Sequence, residues 1–168
     1  MKKKPYVIKA ISPNISIDRF YSNQNELKII NELIALSAPT KIKPTIYIWP
    51  EGIISDSYLK EMIIYKNLFL DNFGEDDLII MGLNSINKES DKKIYFNSMV
   101  IFNNKLNVVA KYDKVNLVPF GEFIPFENIF GLIGLKTVTN SYQSFSRGKS
   151  RSLLNINNDK INLNLLPL

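Results

Sequence analysis

The sequence predicts an α/β domain in which helices pack on one face of a mixed β-sheet. Segments with strand and helix patterns alternate in the order β-α-β-α over the first half of the chain, and mostly strand patterns follow. The second strand, residues 45–49, is almost continuously apolar, as expected for a strand that is buried on both faces. With 168 residues, of which 45% are hydrophobic and 22% charged, the chain has the composition of one globular domain with a real core.

The first strand and helix are predicted between residues 6 and 39. Residues 6–17 alternate between apolar and polar positions and are interrupted at Pro13, which favours a strand. The next segment has Ser22 and Asn23 as candidate N-caps and stops at Pro39. Its apolar positions recur at helical spacing: Leu27, Ile30, Leu33 and Ile34. This spacing predicts an amphipathic helix.

A second helix is predicted after the 45–49 strand. Ser55 and Asp56 are its candidate N-caps, and Gly74 marks its end. Its predicted common face consists of Leu59, Ile63, Lys66 and Leu70. Five further strand candidates follow, at 76–86, 93–104, 106–113, 152–156 and 161–168. Between them, residues 115–149 are rich in Pro, Gly and aromatic side chains, and loops of this length are usually functional or disordered.

Composition excludes several classes of chemistry. The chain has neither Cys nor His, so it cannot by itself form a disulfide, a thiolate or imidazole zinc site, or a Ser-His-Asp triad. We therefore expect neither cofactor nor metal. The net charge is +5, but lysines are spread along the chain, which does not favour nucleic-acid binding. We also expect neither a signal peptide nor a transmembrane span, because no apolar run is long enough.

Three ionisable residues lie beside turn-forming residues at the ends of predicted strands. Glu51 lies in "WPEG", and Lys114 and Glu122 lie in "KYDKVNLVPFGEF". Taken singly, each is most often only a solvated or capping side chain. Together they fit a general base, a cation that stabilises an oxyanion, and a second carboxylate that orients one of them. Such a set needs a nucleophile.

The combination of "IWPEG", "KYDKVNLVPFGEFIPF" and "SFSRG" resembles the nitrilase-type domain of bacterial apolipoprotein N-acyltransferases, within the carbon-nitrogen hydrolase superfamily. The resemblance runs over residues 6–168 and implies a single, incomplete nitrilase-like domain, 1–168, with an α-β-β-α sandwich fold. It also implies roles for the three candidates: Glu51 as general base, Lys114 as catalytic lysine and Glu122 as second essential carboxylate. The implied reaction moves an acyl chain from a phospholipid, through a cysteine thioester, to the N-terminal amine of an apolipoprotein.

The sequence departs from this family pattern at the nucleophile. The family cysteine is expected after a late strand, and this chain contains no Cys. We therefore expect a C-terminally truncated fragment that is inactive alone; if a second polypeptide supplied the cysteine, we would expect the thioester chemistry to be restored. The family's membrane-embedded helical bundle also has no counterpart here. The implied location is the inner membrane, with this domain on the periplasmic side.

Two alternatives remain open from the sequence. The chain could be a soluble amidase or nitrilase relative that acts on a small amide, although that chemistry needs the same thiol. It could instead be a non-catalytic module that contacts a membrane or a partner through residues 115–149, including the apolar stretch "IFGLIGL" at 129–135.

Overall fold

The computed structural model describes residues 6–14, 26–54, 58–89, 92–125, 144–157 and 161–167. The predicted N-caps of both helices lie outside these ranges, as does the apolar stretch at 129–135.

A five-stranded mixed sheet forms the centre of the molecule. Its strands lie side by side in sequence order: β1 (Val7–Ala10), β2 (Thr45–Ile48), β3 (Leu78–Glu89), β4 (Lys92–Asn103) and β5 (Val108–Asp113). The first three strands are parallel, whereas β4 and β5 are each antiparallel to their preceding neighbour. This arrangement confirms the predicted mixed sheet.

Both helices pack on the same face of this sheet. Helix α1 spans Glu26–Ser37, and a 3₁₀ helix, Glu61–Tyr65, leads into α2, Lys66–Asn72. Since β1, β2 and β3 are added in one direction, right-handed crossovers place both connecting helices on one side. Residues of both helices and of β2 to β4 share one buried cluster, which includes Ile30, Leu33, Phe69, Tyr47, Ile79 and Phe102.

The buried face of the second helical segment differs from the predicted one. Ile63 is 53% exposed, whereas Met62, Phe69 and Phe73 are buried. The segment begins as a 3₁₀ helix, which has three residues per turn, and continues as an α-helix with 3.6. The change of period moves the inward-facing side of the segment away from the positions that a uniform helix would bury.

A second sheet covers the opposite face. Strands β6 (Leu154–Asn157) and β7 (Asn162–Leu165) form an antiparallel pair. Ile156 and Ile161 pack against Ile46, Ile80 and Ile101 of the large sheet. The predicted α/β class is confirmed, and the described residues supply three successive layers: helices, large sheet and small sheet. Neither helix in the described ranges is long and apolar enough to cross a bilayer.

Candidate active site

Trp49 fixes the chain at the end of β2. Its backbone N–H donates to the carbonyl of Ile80 at 2.9 Å, which extends the ladder one residue past the strand. Its indole N–H donates to Ser37 Oγ of α1, also at 2.9 Å, and its ring lies 5.6 Å from that of Phe69. The tryptophan is 3% exposed. The sheet and the helices together therefore fix the point from which the site begins.

Glu51 follows this fixed point at a sharp turn. Pro50 has no N–H to continue the ladder, and Gly52 adopts a φ of +67°, which other residues rarely adopt. The backbone of β3 passes close by: a Cβ on Gly82 would lie 3.1 Å from the Cα of Glu51. The "WPEG" sequence thus turns Glu51 over the carboxyl end of β2 and against β3.

Lys114 follows the last residue of β5 and is held by its backbone on two sides. Its N–H donates to the carbonyl of Asn97 on β4 at 2.9 Å, and its carbonyl accepts from Gly148 N–H at 2.9 Å. A Cβ on Gly148 would overlap the carbonyl oxygen of Asp113. Only glycine therefore allows this approach.

Glu122 lies in the loop after Lys114, and both its side chain and its backbone form hydrogen bonds with Val118 of the same loop. Its Oε2 accepts from Val118 N–H at 2.7 Å, and its own N–H donates to the Val118 carbonyl at 2.8 Å. The Glu122 carbonyl accepts from Phe145 N–H at 2.8 Å. The "SFSRG" segment, 144–148, therefore contacts the backbones of both Lys114 and Glu122, which accounts for its presence among the motifs.

The structure brings the three predicted residues together. Lys114 Nζ lies 3.0 Å from Glu51 Oε1 and 3.1 Å from Glu122 Oε1. The side chain of Glu51 is 61% exposed, whereas those of Lys114 and Glu122 are 21% and 13% exposed. One ammonium group thus bridges an accessible carboxylate and a sheltered one.

Asn97 is a fourth member of the site that the sequence reasoning missed. Its Nδ2 donates to Glu51 Oε1 at 2.8 Å and to Glu122 Oε1 at 2.5 Å. The only signal in the sequence was a polar pair, Asn97 and Ser98, inside the mostly apolar β4 strand pattern. That signal is weak in a chain that uses Asn throughout.

The electrostatics of the site favour its charged forms. Burial alone would raise the pKa of Glu122, but hydrogen bonds from Val118 N–H, Asn97 and Lys114 hold that pKa below its ordinary value. Burial alone would lower the pKa of Lys114, but its hydrogen bonds to both glutamates hold that pKa above its ordinary value. We therefore assign Lys114 as an ammonium and Glu122 as an ionised carboxylate at neutral pH.

A cavity of about 220 Å³ opens beside these side chains. Glu51, Asn97 and Lys114 line one part of it, and mostly apolar side chains line the rest: Ile48, Ile80, Met99, Tyr112 and Pro167. Pro167, which follows β7, brings the small sheet to the same cavity. The hydroxyl of Tyr112 is buried and has no hydrogen-bond partner within the described part of the chain.

A second polar cluster lies on the opposite face of the same strands. Ser98 Oγ donates to Asp113 Oδ1 at 2.6 Å and lies 2.7 Å from Ser85 Oγ. Lys111 Nζ contacts Ser85 Oγ at 2.9 Å and Asp113 Oδ1 at 3.0 Å. Ser98 and Asp113 are register partners across β4 and β5. Their neighbours Asn97 and Lys114 face the site, because successive strand residues alternate between faces.

The donor set does not suit a metal ion. No group of three or more acidic residues in the ranges that the structure describes is placed to hold one. The ammonium of Lys114 already occupies the position between the two carboxylates. The chemistry available here is proton transfer and stabilisation of an anion by the ammonium.

Comparisons with known proteins agree on one family of relatives. The chain is 28% identical to an apolipoprotein N-acyltransferase of Brucella suis over 98% of its length, and 30% identical to that of Rhizobium leguminosarum over 99%. These matches cover 31% and 32% of the relatives, so the chain spans about a third of their length. No protein-family model matches the chain.

The fold has a counterpart among solved structures. A mutant of the Nesterenkonia AN1 amidase, from the nitrilase superfamily, aligns with 95% of this chain and 54% of its own, at a TM-score of 0.51 and 13% identity. At that identity the likeness concerns the fold alone. The sequence relatives and the fold agree with each other: this chain is a homologue of the apolipoprotein N-acyltransferases and has the nitrilase-superfamily α/β fold.

Proposed function

We propose that this chain supplies the general base, the lysine and the second carboxylate of an apolipoprotein N-acyltransferase site. The observation that carries the proposal is the contact of Lys114 Nζ with both Glu51 and Glu122 at the edge of an apolar cavity. The relatives' name supports an apolipoprotein N-terminus as acceptor. The family resemblance implies a phospholipid as the acyl donor. A phospholipid donor implies that the reaction takes place at a membrane surface.

In the first half-reaction, Glu51 accepts the proton of a cysteine thiol. The thiolate attacks the carbonyl carbon of the phospholipid ester, and the ammonium of Lys114 stabilises the oxyanion that forms. The C–O bond then breaks, Glu51 returns the proton to the departing alkoxide, and the acyl chain remains on sulfur as a thioester.

In the second half-reaction, the α-amine of the acceptor attacks the thioester carbonyl. Glu51 takes the proton that the amine loses, and Lys114 again stabilises the oxyanion. The C–S bond breaks, and the thiolate is released while the amide forms. Glu122 takes no proton in either step. It stays ionised and keeps Lys114 charged, which fits its sheltered position and its lowered pKa.

The thiol must come from outside this sequence, because the chain contains no cysteine. We propose that a cysteine outside these 168 residues is presented at the cavity beside Glu51, and that the chain alone is inactive. The mostly apolar cavity lining suits the methylenes next to an acyl carbonyl.

The test combines the purified chain with a separately expressed, cysteine-containing segment of an apolipoprotein N-acyltransferase and phosphatidylethanolamine vesicles. Intact-mass spectrometry then follows the acyl adduct on the cysteine. We expect an adduct with the native chain, and formation slower by about 100-fold or more with Glu51→Gln, since a positioned general base contributes about that factor or more.

Glu32→Gln is the matched control, because Glu32 is an exposed carboxylate on α1. This variant is expected to form the adduct at the native rate. The proposal fails if the native mixture forms no adduct, or if Glu51→Gln forms it as fast as Glu32→Gln does.

A further inference from the structure

We infer that Asn97 is a positioning residue of this site, which holds one oxygen of each glutamate and leaves Glu51 Oε2 as the proton acceptor. The inference rests on the proposed function for its chemical meaning. Its geometry stands alone: Asn97 Nδ2 lies 2.8 Å from Glu51 Oε1 and 2.5 Å from Glu122 Oε1.

The surroundings determine the orientation of the Asn97 amide. A primary amide has two N–H groups, so its nitrogen can donate to two acceptors at once. The reversed orientation would place the amide oxygen against two carboxylate oxygens, where no proton separates the partners. The amide therefore directs its NH₂ at the glutamates, one N–H to each.

Asn97 and Lys114 share the same two acceptors. Glu51 Oε1 and Glu122 Oε1 each accept from both Asn97 Nδ2 and Lys114 Nζ. The lysine contributes one positive charge against two negative ones, and the asparagine adds donors without adding charge. Two carboxylates can thus remain close together while the lysine keeps its full charge for an oxyanion.

This arrangement distinguishes the four carboxylate oxygens. Both Oε1 atoms are occupied by Asn97 and Lys114, and Glu122 Oε2 accepts from Val118 N–H at 2.7 Å. Glu51 Oε2 accepts no hydrogen bond from a residue in the described ranges, and Glu51 is the exposed member of the pair. Asn97 thereby directs proton transfer to one atom of one glutamate.

The first experiment uses the native chain. NMR spectroscopy follows the two side-chain Nδ2 protons of Asn97 while the ¹³Cδ signals of Glu51 and Glu122 are titrated with acid. We expect one Asn97 proton to shift as Glu122 titrates and the other to shift as Glu51 titrates. The inference is wrong if neither proton follows a glutamate.

The second experiment replaces the amide with an apolar side chain of similar size, Asn97→Leu. The ionised form of Glu122 loses one of its donors, so we expect the measured pKa of Glu122 to rise relative to the native chain. Asn87→Leu, at an exposed position of β3, is the matched control and should leave that pKa unchanged.

An unchanged Glu122 pKa in a folded Asn97→Leu chain would contradict the inference and leave Asn97 as an ordinary strand residue. If that variant does not fold, the native titration decides alone. Neither measurement depends on turnover, so a failed acyl transfer and a failed role for Asn97 are distinguishable.

Discussion

Glu51 and Glu122 bind the same lysine and the same asparagine, yet their surroundings give them different chemistry. Glu122 is 13% exposed and receives a third hydrogen bond from the Val118 N–H. Glu51 is 61% exposed and lies on the turn after β2. A carboxylate with many donors in a sheltered place stays ionised, whereas an accessible one can exchange a proton with a substrate. Under the proposed function, the backbone thus gives two residues of the same type different roles.

The lowered pKa of Glu122 predicts how stability depends on pH. Its contribution is present above its ordinary pKa of 4.5 and is lost as the pH falls through the lower pKa of the folded state. In urea unfolding, the native chain should therefore exceed Glu122→Gln in free energy of unfolding at pH 7, and the difference should shrink in acid. A difference that stays constant down to acid pH would contradict this prediction, and Glu32→Gln should show no such trend.

The family resemblance predicted three residues that the structure places in contact, and it did not include Asn97. Glu51, Lys114 and Glu122 each stand beside strand ends or turn-forming residues, where side chains remain reachable. Asn97 lies inside β4, and its contact with Glu51 depends on β2 and β4 being placed on either side of β3. A local sequence pattern does not show which strands are neighbours in the sheet, so the contact of Asn97 with Glu51 could not be predicted.

At the scale of elements, the 144–148 segment positions the loop that carries Lys114 and Glu122. Gly148→Ala would place a methyl group against the Asp113 carbonyl, so either the segment or the end of β5 must move. We expect destabilisation of about 1–3 kcal/mol, typical of overpacking, measured by urea unfolding. The same variant should shift the Lys114 backbone amide signals in NMR spectra.

Gly121→Ala is the matched control for that change. A Cβ at Gly121 would lie 3.5 Å from the Val118 side chain, which is an ordinary contact. A Gly148→Ala chain as stable as the Gly121→Ala chain would show that the close approach at Asp113 is not needed.

The pattern of apolar residues predicted where the strands of the large sheet lie, but not the residues at which they end. The strand predicted at 76–86 extends further, because β3 and β4 continue as paired strands to Glu89 and Lys92. Those two residues carry opposite charges and face each other, which stabilises the end of the ladder. Cross-strand pairs join residues that a local pattern treats separately. The same limit applies to the second helix, whose 3₁₀ start changed the buried face.

At the scale of the whole molecule, the small sheet is held to the large one by a compact apolar contact. Ile161 is fully buried among residues of both sheets. Ile161→Ala should lower the free energy of unfolding by about 2–5 kcal/mol, since a large core side chain is lost and a cavity remains. It should also increase amide hydrogen exchange in β6 and β7.

Ile42→Ala is the control for this change, because Ile42 is 80% exposed. Equal stabilities of the two alanine variants would show that the small sheet does not depend on this contact. The class of the fold was predictable from alternating patterns and the layer order only from the family resemblance. The packing of Ile161 against Ile46, Ile80 and Ile101 was not predictable, since those residues lie far away in sequence.

The polar contacts on the two faces of β4 and β5 depend on the register of these strands. One face has the contacts of Asn97 and Lys114, and the other has those of Ser98 and Asp113. A shift of either strand by one residue would turn its side chains to the other face. If both strands shifted, Ser98 and Asp113 would enter the face that holds Glu51 and Glu122, and Asn97 and Lys114 would face the helices, away from both glutamates. Such a shift would separate Lys114 from both glutamates and place Asp113 on their side of the sheet, so the alignment of β4 and β5 determines which charges meet.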